Sequence, residues 1–177
     1  MNMNRLNYLF VFSLALLAIL TGACREKESS GPSEAELTLA ANKKTAIAVV
    51  HASAVGIGEI IRTIPDSATK VQVLRVYIDS IRFYDDKSGY FYVYNYQCTN
   101  IAHGTQKELQ GTNLYNYQDV KGKYVIRALS EAASKAGGFV EFYWIKPGET
   151  GEKLKIGYVE PISGTNYFIG SGVYVPE

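Results

Sequence analysis

The sequence predicts an α+β fold in which helices cover an antiparallel sheet of about five strands. Two observations indicate this class. Apolar residues recur at helical spacing in the first half of the chain, whereas several later segments alternate with a period of two. The strands that follow one another are separated by short turns, which favours antiparallel pairing. The predicted order is two helices, two strands, one helix and three strands.

The first predicted helix is long. Ser33 followed by Glu36 forms a capping box, and an alanine- and isoleucine-rich stretch continues to about Ile64. A Pro-Asp pair interrupts this stretch at Pro65. A second amphipathic helix is indicated by the apolar stripe Val71, Leu74, Ile78 and Ile81.

From Tyr90 the period changes to two, which predicts a strand with a tyrosine face. A second short strand is expected at 100–102, followed by a helix at 122–136 that ends at a glycine pair. The three remaining strands are predicted at 139–144, 153–159 and 166–175, and the first two of them form a hairpin.

The charge balance excludes one large class of function. The 18 Lys and Arg residues against 17 Asp and Glu residues give a formal net charge of +1. No basic field is available for a nucleic-acid backbone, so we expect no nucleic-acid partner. The 47% hydrophobic content is sufficient for one packed domain.

Residues 1–23 have the layout of a signal peptide, with one positive charge, an apolar run at 8–20 and small residues before Cys24. The run is too short for a comfortable membrane span. The small residues directly before Cys24 resemble the bacterial lipobox, which implies a lipidated cysteine; the alternative is an uncleaved anchor with an incidental cysteine. Residues 24–33 are then the lipidated cysteine and a polar tether, and residues 34–177 are the domain.

This layout predicts a lipoprotein of the cell envelope that faces the periplasm. After cleavage the charges balance at 17 against 17, because only Arg5 is removed, so acyl chains must supply the membrane attachment. Arg25 follows the cysteine in place of the aspartate associated with inner-membrane retention in enteric bacteria. The outer membrane is therefore slightly favoured.

Four segments carry a family resemblance: YFYVYNYQCTNIAHG, LQGTNL, KGKYVIRALSEAASKAGGFVEFYW and KLKIGYVEPISGTNYFIGSGVYV. Together they resemble a single Cache domain, the PAS-like extracellular sensing module of bacterial chemoreceptors and kinases. The resemblance implies a small-molecule pocket between the sheet and the loops and helix after its second strand, usually for short organic acids or similar metabolites. Because the sequence ends shortly after this region, we expect the signal to pass to a separate protein or through a homodimer of the long helix.

Arg127 and His103 are the first candidate ligand-binding residues. The Arg127 guanidinium suits a carboxylate, although a surface ion pair with Glu131 is the alternative. His103 could donate to an anion or titrate near neutral pH, and the alternative is a turn histidine bonded to local backbone. The other histidine, His51, lies far away in the first helix, so no zinc or other metal site is expected.

The remaining candidates lie on the predicted strands. A tyrosine offers a ring for packing and a hydroxyl for a polar ligand, although most strand aromatics only pack. Lys155 is expected to point outward, as a second carboxylate partner or as a solvated lysine. The aromatic candidates are Tyr92, Tyr94, Tyr143, Trp144 and Tyr158.

No enzyme activity and no cofactor are predicted. Cys98 and His103 lie five residues apart across a turn, and no oxyanion motif or orienting carboxylate accompanies them. The leading hypothesis is a sensory lipoprotein that binds a short organic acid. The alternative is an interaction or assembly module that has the same fold without a working pocket.

Overall fold

A computed structural model describes residues 31–176 of the chain. The predicted signal peptide, Cys24 and the predicted tether up to residue 30 lie outside the described residues.

Two helices lead into the sheet, and each begins at a side-chain cap. Helix α1 spans Glu34–Arg62, and the capping box is confirmed: Ser33 Oγ accepts from the Glu36 N–H, and the Glu36 carboxylate accepts from the Ser33 N–H at 2.7 Å. Helix α2 spans Ser67–Asp79 and starts after Asp66, whose carboxylate accepts from the Thr69 N–H at 2.6 Å.

Helix α1 is long and apolar enough, by length and composition, to cross a membrane. In the structure one of its faces is instead packed on the sheet, with Ala46, Val50, Ile57 and Ile61 fully buried. This packing identifies α1 as the core helix of the domain.

The sheet has five antiparallel strands, which confirms the predicted fold class. Its spatial order is β2-β1-β5-β4-β3, and helix α3, Val125–Ser134, connects β2 to β3. A short 3₁₀ turn, Lys107–Leu109, lies in the loop between β2 and α3. In chain order the strands are β1 Tyr92–Asn95, β2 Asn100–His103, β3 Gly138–Ile145, β4 Glu152–Pro161 and β5 Tyr167–Tyr174.

Both faces of the sheet are covered. The predicted tyrosine face is confirmed: Tyr90, Tyr92 and Tyr94 pack toward α3, whereas the intervening Phe91 and Val93 pack toward α1 and α2. The chain therefore builds two hydrophobic clusters that share one sheet, and the α3 side contains most of the buried aromatic rings.

The predicted starts of two elements differ from the structure by two or three residues. The first strand begins at Tyr92 rather than Tyr90, and α3 begins at Val125 rather than Gly122. Gly122 has a φ of +79° and belongs to a turn in which the Asp119 carboxylate accepts from the N–H groups of residues 121 and 123. A local side-chain bond thus competes with the helix at its start.

Gly170 on β5 makes room for Tyr92. A Cβ at Gly170 would lie 2.5 Å from Tyr92 Cε2 and 2.6 Å from Val159 Cγ1, so we expect Gly170→Ala to lower the free energy of unfolding by about 1–3 kcal/mol through overpacking. Gly56→Ala is the matched control, because nothing lies within 4 Å of its Cβ position on the exposed side of α1. It should raise stability by about 0.5–1 kcal/mol. Urea denaturation checks both values, and a neutral Gly170→Ala would contradict this packing.

Candidate ligand-binding site

A small cavity lies between the sheet and α3. The space that the centre of a water molecule can reach is about 10 Å³, roughly the room that one water needs. Side chains of five elements and of the segment before β1 line it: Tyr90, Tyr92, Tyr94, His103, Val125, Ile126, Leu129, Phe142, Trp144 and Lys155. The cavity is thus where the family resemblance implies a pocket.

Lys155 is the most unusual residue of the cavity. Its side chain is 0% exposed, and its Nζ has no hydrogen-bond partner among the residues that the structure describes. Three rings surround the amine: the centroids of Tyr90, Tyr174 and Tyr92 lie 3.8, 4.7 and 5.6 Å from Nζ. Burial lowers the pKa of Lys155 well below its usual range.

The predicted outward orientation of Lys155 is wrong. Strand alternation correctly separates Lys155 from its neighbours Leu154 and Ile156, but it assumes that one face of the strand meets water. In the structure, Ile156 is buried on the side of α1, and Lys155 is buried on the side of α3. Because α1 packs on one face of β4 and α3 packs on the other, no solvated face remains at this position.

His103 closes the cavity at the end of β2. Its Nδ1 accepts from the Gln106 N–H at 2.9 Å, which places the ring proton on Nε2 and leaves that nitrogen available as a donor. Burial, together with the charge of Arg82, lowers the pKa of His103 well below its usual value. The ring is therefore neutral at physiological pH and does not titrate there, and the predicted local backbone bond is present as well.

Most polar atoms of the aromatic wall are already bonded within the protein. Tyr92 Oη donates to the Ser171 carbonyl at 3.2 Å, and Trp144 Nε1 donates to Gln106 Oε1 at 2.6 Å. The Tyr90 hydroxyl pairs with the Tyr174 hydroxyl at 3.3 Å. These bonds fix the orientation of the rings and leave few free hydrogen-bonding groups for a ligand.

Tyr94 is the exception on this wall. Its hydroxyl is buried and lacks a hydrogen bond within residues 31–176. The side-chain oxygen of Asn100, its cross-strand neighbour on β2, is buried without a partner as well. Burial raises the pKa of Tyr94, so the hydroxyl keeps its proton. The free polar groups of the cavity wall are therefore the Lys155 amine, the His103 Nε2–H and the Tyr94 hydroxyl, and all three are donors.

Arg127 lies outside the cavity lining. Its Nε donates to the Tyr115 carbonyl at 2.7 Å, and its Nη2 donates to Asn116 Oδ1 at 2.8 Å. The guanidinium also lies 3.8 Å from the ring centroids of both Tyr115 and Tyr124. The alternative pair with Glu131 is not formed, because Glu131 bonds to Lys135. Arg127 thus attaches the loop between β2 and α3 to the helix.

Two further candidates also lie away from the cavity. The backbone N–H of Tyr143 donates to Asp119, and its side chain alternates with the cavity residues Phe142 and Trp144. Tyr158 packs against Phe139, with its hydroxyl bonded to Glu160, on the face covered by α1. Of the predicted set, the structure brings together Tyr92, Tyr94, His103, Trp144 and Lys155.

The sequence reasoning missed several wall residues. Tyr90 could have been found, because it shares the period of Tyr92 and Tyr94. Val125, Ile126 and Leu129 form the inward stripe of α3, which is also visible in the sequence. Tyr174 gave no such signal: it reaches Lys155 only because the two residues are paired across β4 and β5.

Cys98 is buried in the turn between β1 and β2 with a φ of +64°. Burial raises the pKa of this thiol, which opposes thiolate formation. Within the described residues, no group of three or more His, Cys, Asp or Glu side chains is placed to hold a metal ion.

A five-stranded antiparallel sheet with a buried, donor-lined cavity under one helix defines a small ligand-binding domain of the PAS-like class. The profile described as Single Cache domain 2 matches residues 36–177, and the chain belongs to that family. The predicted family is thus confirmed, and it is a family of ligand-binding sensor modules.

Two relatives are signalling proteins. The chain is 32% identical over 112 residues to the sensor histidine kinase MctS of Rhizobium johnstonii, covering 63% of this chain and 24% of the kinase. It is 28% identical over 116 residues to the methyl-accepting chemotaxis protein McpP of Pseudomonas putida, covering 65% of this chain and 21% of that protein. The chain thus matches less than a quarter of the length of each relative.

Solved structures show the same fold. A periplasmic sensor domain of a chemotaxis protein matches with a TM-score of 0.69 and 27% identity, covering 78% of this chain and 98% of that domain. A Cache chemosensory domain described by its carboxylic acid recognition matches with a TM-score of 0.67 and 26% identity, covering 82% and 100%. A methyl-accepting chemotaxis protein of Vibrio parahaemolyticus matches with a TM-score of 0.68 and 26% identity, covering 80% and 93%.

Replacing Arg127 tests its role in the loop. We expect Arg127→Ala to lower the free energy of unfolding by about 2 kcal/mol, because two hydrogen bonds and two ring contacts are lost. The control Glu131→Ala removes only an exposed ion pair and should change stability by less than about 0.5 kcal/mol. Chemical denaturation measures both. If Arg127→Ala were as stable as the parent, this result would contradict the role of Arg127 in holding the loop.

Proposed function

We propose that the chain is an extracytoplasmic sensory protein whose cavity binds the carboxylate of a short organic acid or a similar metabolite. The observation that carries this proposal is the buried, unpartnered amine of Lys155. Burying a polar group without a hydrogen bond costs free energy, and an anionic ligand oxygen would supply the missing partner. The carboxylic acid recognition named for one similar Cache domain supports the same ligand class.

The wall suggests a role for each side chain. Lys155 and His103 are the donors to the carboxylate, and both lie against the rings of Tyr90 and Tyr92. Tyr94 is available to a second oxygen of the ligand. The carbon chain would contact the apolar side chains Val125, Ile126, Leu129 and Phe142, with Trp144 beside them. In this proposal Arg127 holds the loop and does not contact the ligand.

The size of the cavity favours small ligands. With about 10 Å³ of open space, even a two-carbon acid must displace side chains, and longer acids must displace more. A four-atom ligand such as acetate has a ceiling of about −6 kcal/mol, which corresponds to a Kd of tens of micromolar. We therefore expect binding in the range in which a sensor responds to ambient metabolites.

A thermal-shift titration of the full chain with acetate, propionate and butyrate tests the proposal. A ligand that binds only the folded state adds about 2.7 kcal/mol at 100 times its Kd, which raises the melting temperature by several degrees. Propylamine, of similar size but opposite charge, should produce no shift.

Lys155→Met is the matched variant. It should be more stable than the parent by roughly 1–3 kcal/mol, because an unpartnered buried amine is replaced by an apolar chain of similar length. It should also lose the response to carboxylates. An equal carboxylate shift in this variant would contradict the role of Lys155.

A second candidate function is an interaction or assembly module that retains the fold. The observation that favours it is an apolar groove between α1 and α2, where Ile60 is 51% exposed and Val76 is 65% exposed. A homodimer or a separate signalling protein would use such a surface. A cooperative melt of the full chain with no carboxylate shift would support this module and oppose the sensor.

We also propose that residues 1–23 are a signal peptide and that lipidated Cys24 anchors the protein in the cell envelope, with the outer membrane favoured. Cys24→Ser should lose metabolic palmitate labelling and move from the membrane to the soluble fraction. Cys98→Ser is the control, because Cys98 is buried in the domain and should leave both readouts unchanged. Palmitate labelling that persists in Cys24→Ser would contradict lipidation at this residue.

A further inference from the structure

The charge state of Lys155 is the property that the proposed carboxylate site does not yet explain. We propose that the cavity binds each carboxylate together with one proton from solvent, and that the Lys155 amine takes up this proton. This inference rests on the proposed function. In the free domain Lys155 is a neutral amine, and in the complex it is an ammonium ion paired with the ligand.

No counterion for Lys155 is present in the part of the chain that the structure describes. The titratable groups that face its amine are Tyr90, Tyr92 and Tyr174, from the β1 and β5 sides, and His103 from β2. None of them is a carboxylate. The surfaces that β3 and α3 present to the cavity are not titratable: Phe142, Trp144, Val125, Ile126 and Leu129.

The more distant charges do not neutralise an ammonium ion at this place. Arg82 lies beyond His103, where its guanidinium donates to the Gly104 carbonyl, and it has the same sign as the ammonium. Glu149 raises the pKa of Tyr174, and its carboxylate is already paired with Lys146 at 3.0 Å. Burial is the cause of the lowered pKa of Lys155.

The tyrosine rings do not replace a counterion. A cation over a ring gains about 0.5–2 kcal/mol, whereas an unpaired charge in an apolar interior costs considerably more. The hydroxyls cannot become the counterion either, since burial raises the pKa of Tyr90 to about 12 and also raises the pKa of Tyr92 and of Tyr174 well above the usual value. The neutral amine is therefore the favoured form of the free domain.

A bound carboxylate reverses this balance. An acid with a pKa of about 4–5 is ionised at neutral pH, so it enters as an anion and cannot supply the proton itself. The balanced step adds one solvent proton to the Lys155 nitrogen lone pair, which forms one N–H bond and breaks no bond in the ligand. The amine then donates to the carboxylate as a charge-assisted pair.

His103 is a poor alternative acceptor for this proton. Its Nδ1 accepts the Gln106 N–H, so protonation there would turn an acceptor into a donor that faces another donor. Its Nε2 already holds a hydrogen. The proton is therefore assigned to Lys155, and His103 contributes a neutral donor.

Proton uptake makes the affinity depend on pH even though the ligand remains ionised. Above the pKa of Lys155 in the free domain, and below its pKa in the complex, the apparent Kd rises tenfold for each pH unit. At a pH below the pKa of Lys155 in the free domain, the apparent Kd does not change with pH. The sensor would then respond to the concentration of the acid and to the acidity of the surroundings together.

Calorimetric titration of the full chain with acetate and propionate at pH 7.5 tests this linkage. The dependence of the binding enthalpy on buffer ionisation enthalpy, compared between phosphate and Tris, gives the number of protons exchanged. We expect an uptake close to one proton per ligand. Binding without uptake overturns the inference and leaves the proposed function intact, whereas failure of both acids to bind contradicts the proposed function itself.

Two variants assign the proton. Lys155→Arg keeps a permanent charge, so any binding it shows should occur without proton uptake. His103→Gln should retain the uptake of the parent. Loss of uptake in His103→Gln with retained binding would overturn the assignment to Lys155.

A measurement without ligand gives an independent reading. A folded-state pKa below the unfolded value means that the unfolded state binds more protons, so stability should rise with pH toward the unfolded pKa of about 10.4. Between pH 7.5 and 9, the unfolding constant of the parent should fall relative to that of Lys155→Met by up to tenfold per pH unit. Parallel pH profiles of the two proteins would show a charged Lys155 in the free domain and overturn the inference.

Discussion

The packing of Lys155 against tyrosine rings depends on glycines in the neighbouring strands. A Cβ at Gly172 would lie 3.0 Å from Lys155 Cε, and a Cβ at Gly157 would lie 2.9 Å from the Tyr92 hydroxyl oxygen. Gly170 leaves the corresponding space for the Tyr92 ring. Three missing side chains on one face of β4 and β5 thus admit a lysine and a ring that a fully occupied sheet would exclude.

The sequence predicts the fold well because its signals are local. The capping box at Ser33, the helix stripe around Leu74 and the period of two after Tyr90 each report on the chain within a few residues. The site is harder to predict. Alternation assigns Lys155 to one face of β4, but only the packing of α3 shows that this face is buried. The Arg127 guanidinium is chemically suited to a carboxylate ligand, yet its Nε already donates to the Tyr115 carbonyl of the loop.

The loop between β2 and α3 connects the surface to the cavity. Its side chains Leu109, Leu114 and Tyr117 pack against the aromatic cluster around the cavity. Side-chain bonds attach it to the neighbouring elements: Arg127 holds it to α3, and Glu152 on β4 accepts from the Tyr117 hydroxyl. Backbone bonds of Asn100 to residues 111 and 112, and of Leu114 to the Cys98 carbonyl, also pair the loop with β2 and the turn before it. The loop is therefore part of the packed wall of the cavity.

A neutral amine reconciles the stability of the domain with its binding chemistry. A charged, unpaired Lys155 would oppose folding strongly, whereas a neutral amine costs only its unmade hydrogen bonds. The same burial that removes its charge also keeps water out, so an ion pair formed with a carboxylate is weakly screened and strong. In the proposed carboxylate site, the modest loss of stability at Lys155 would be the source of the affinity for an anion.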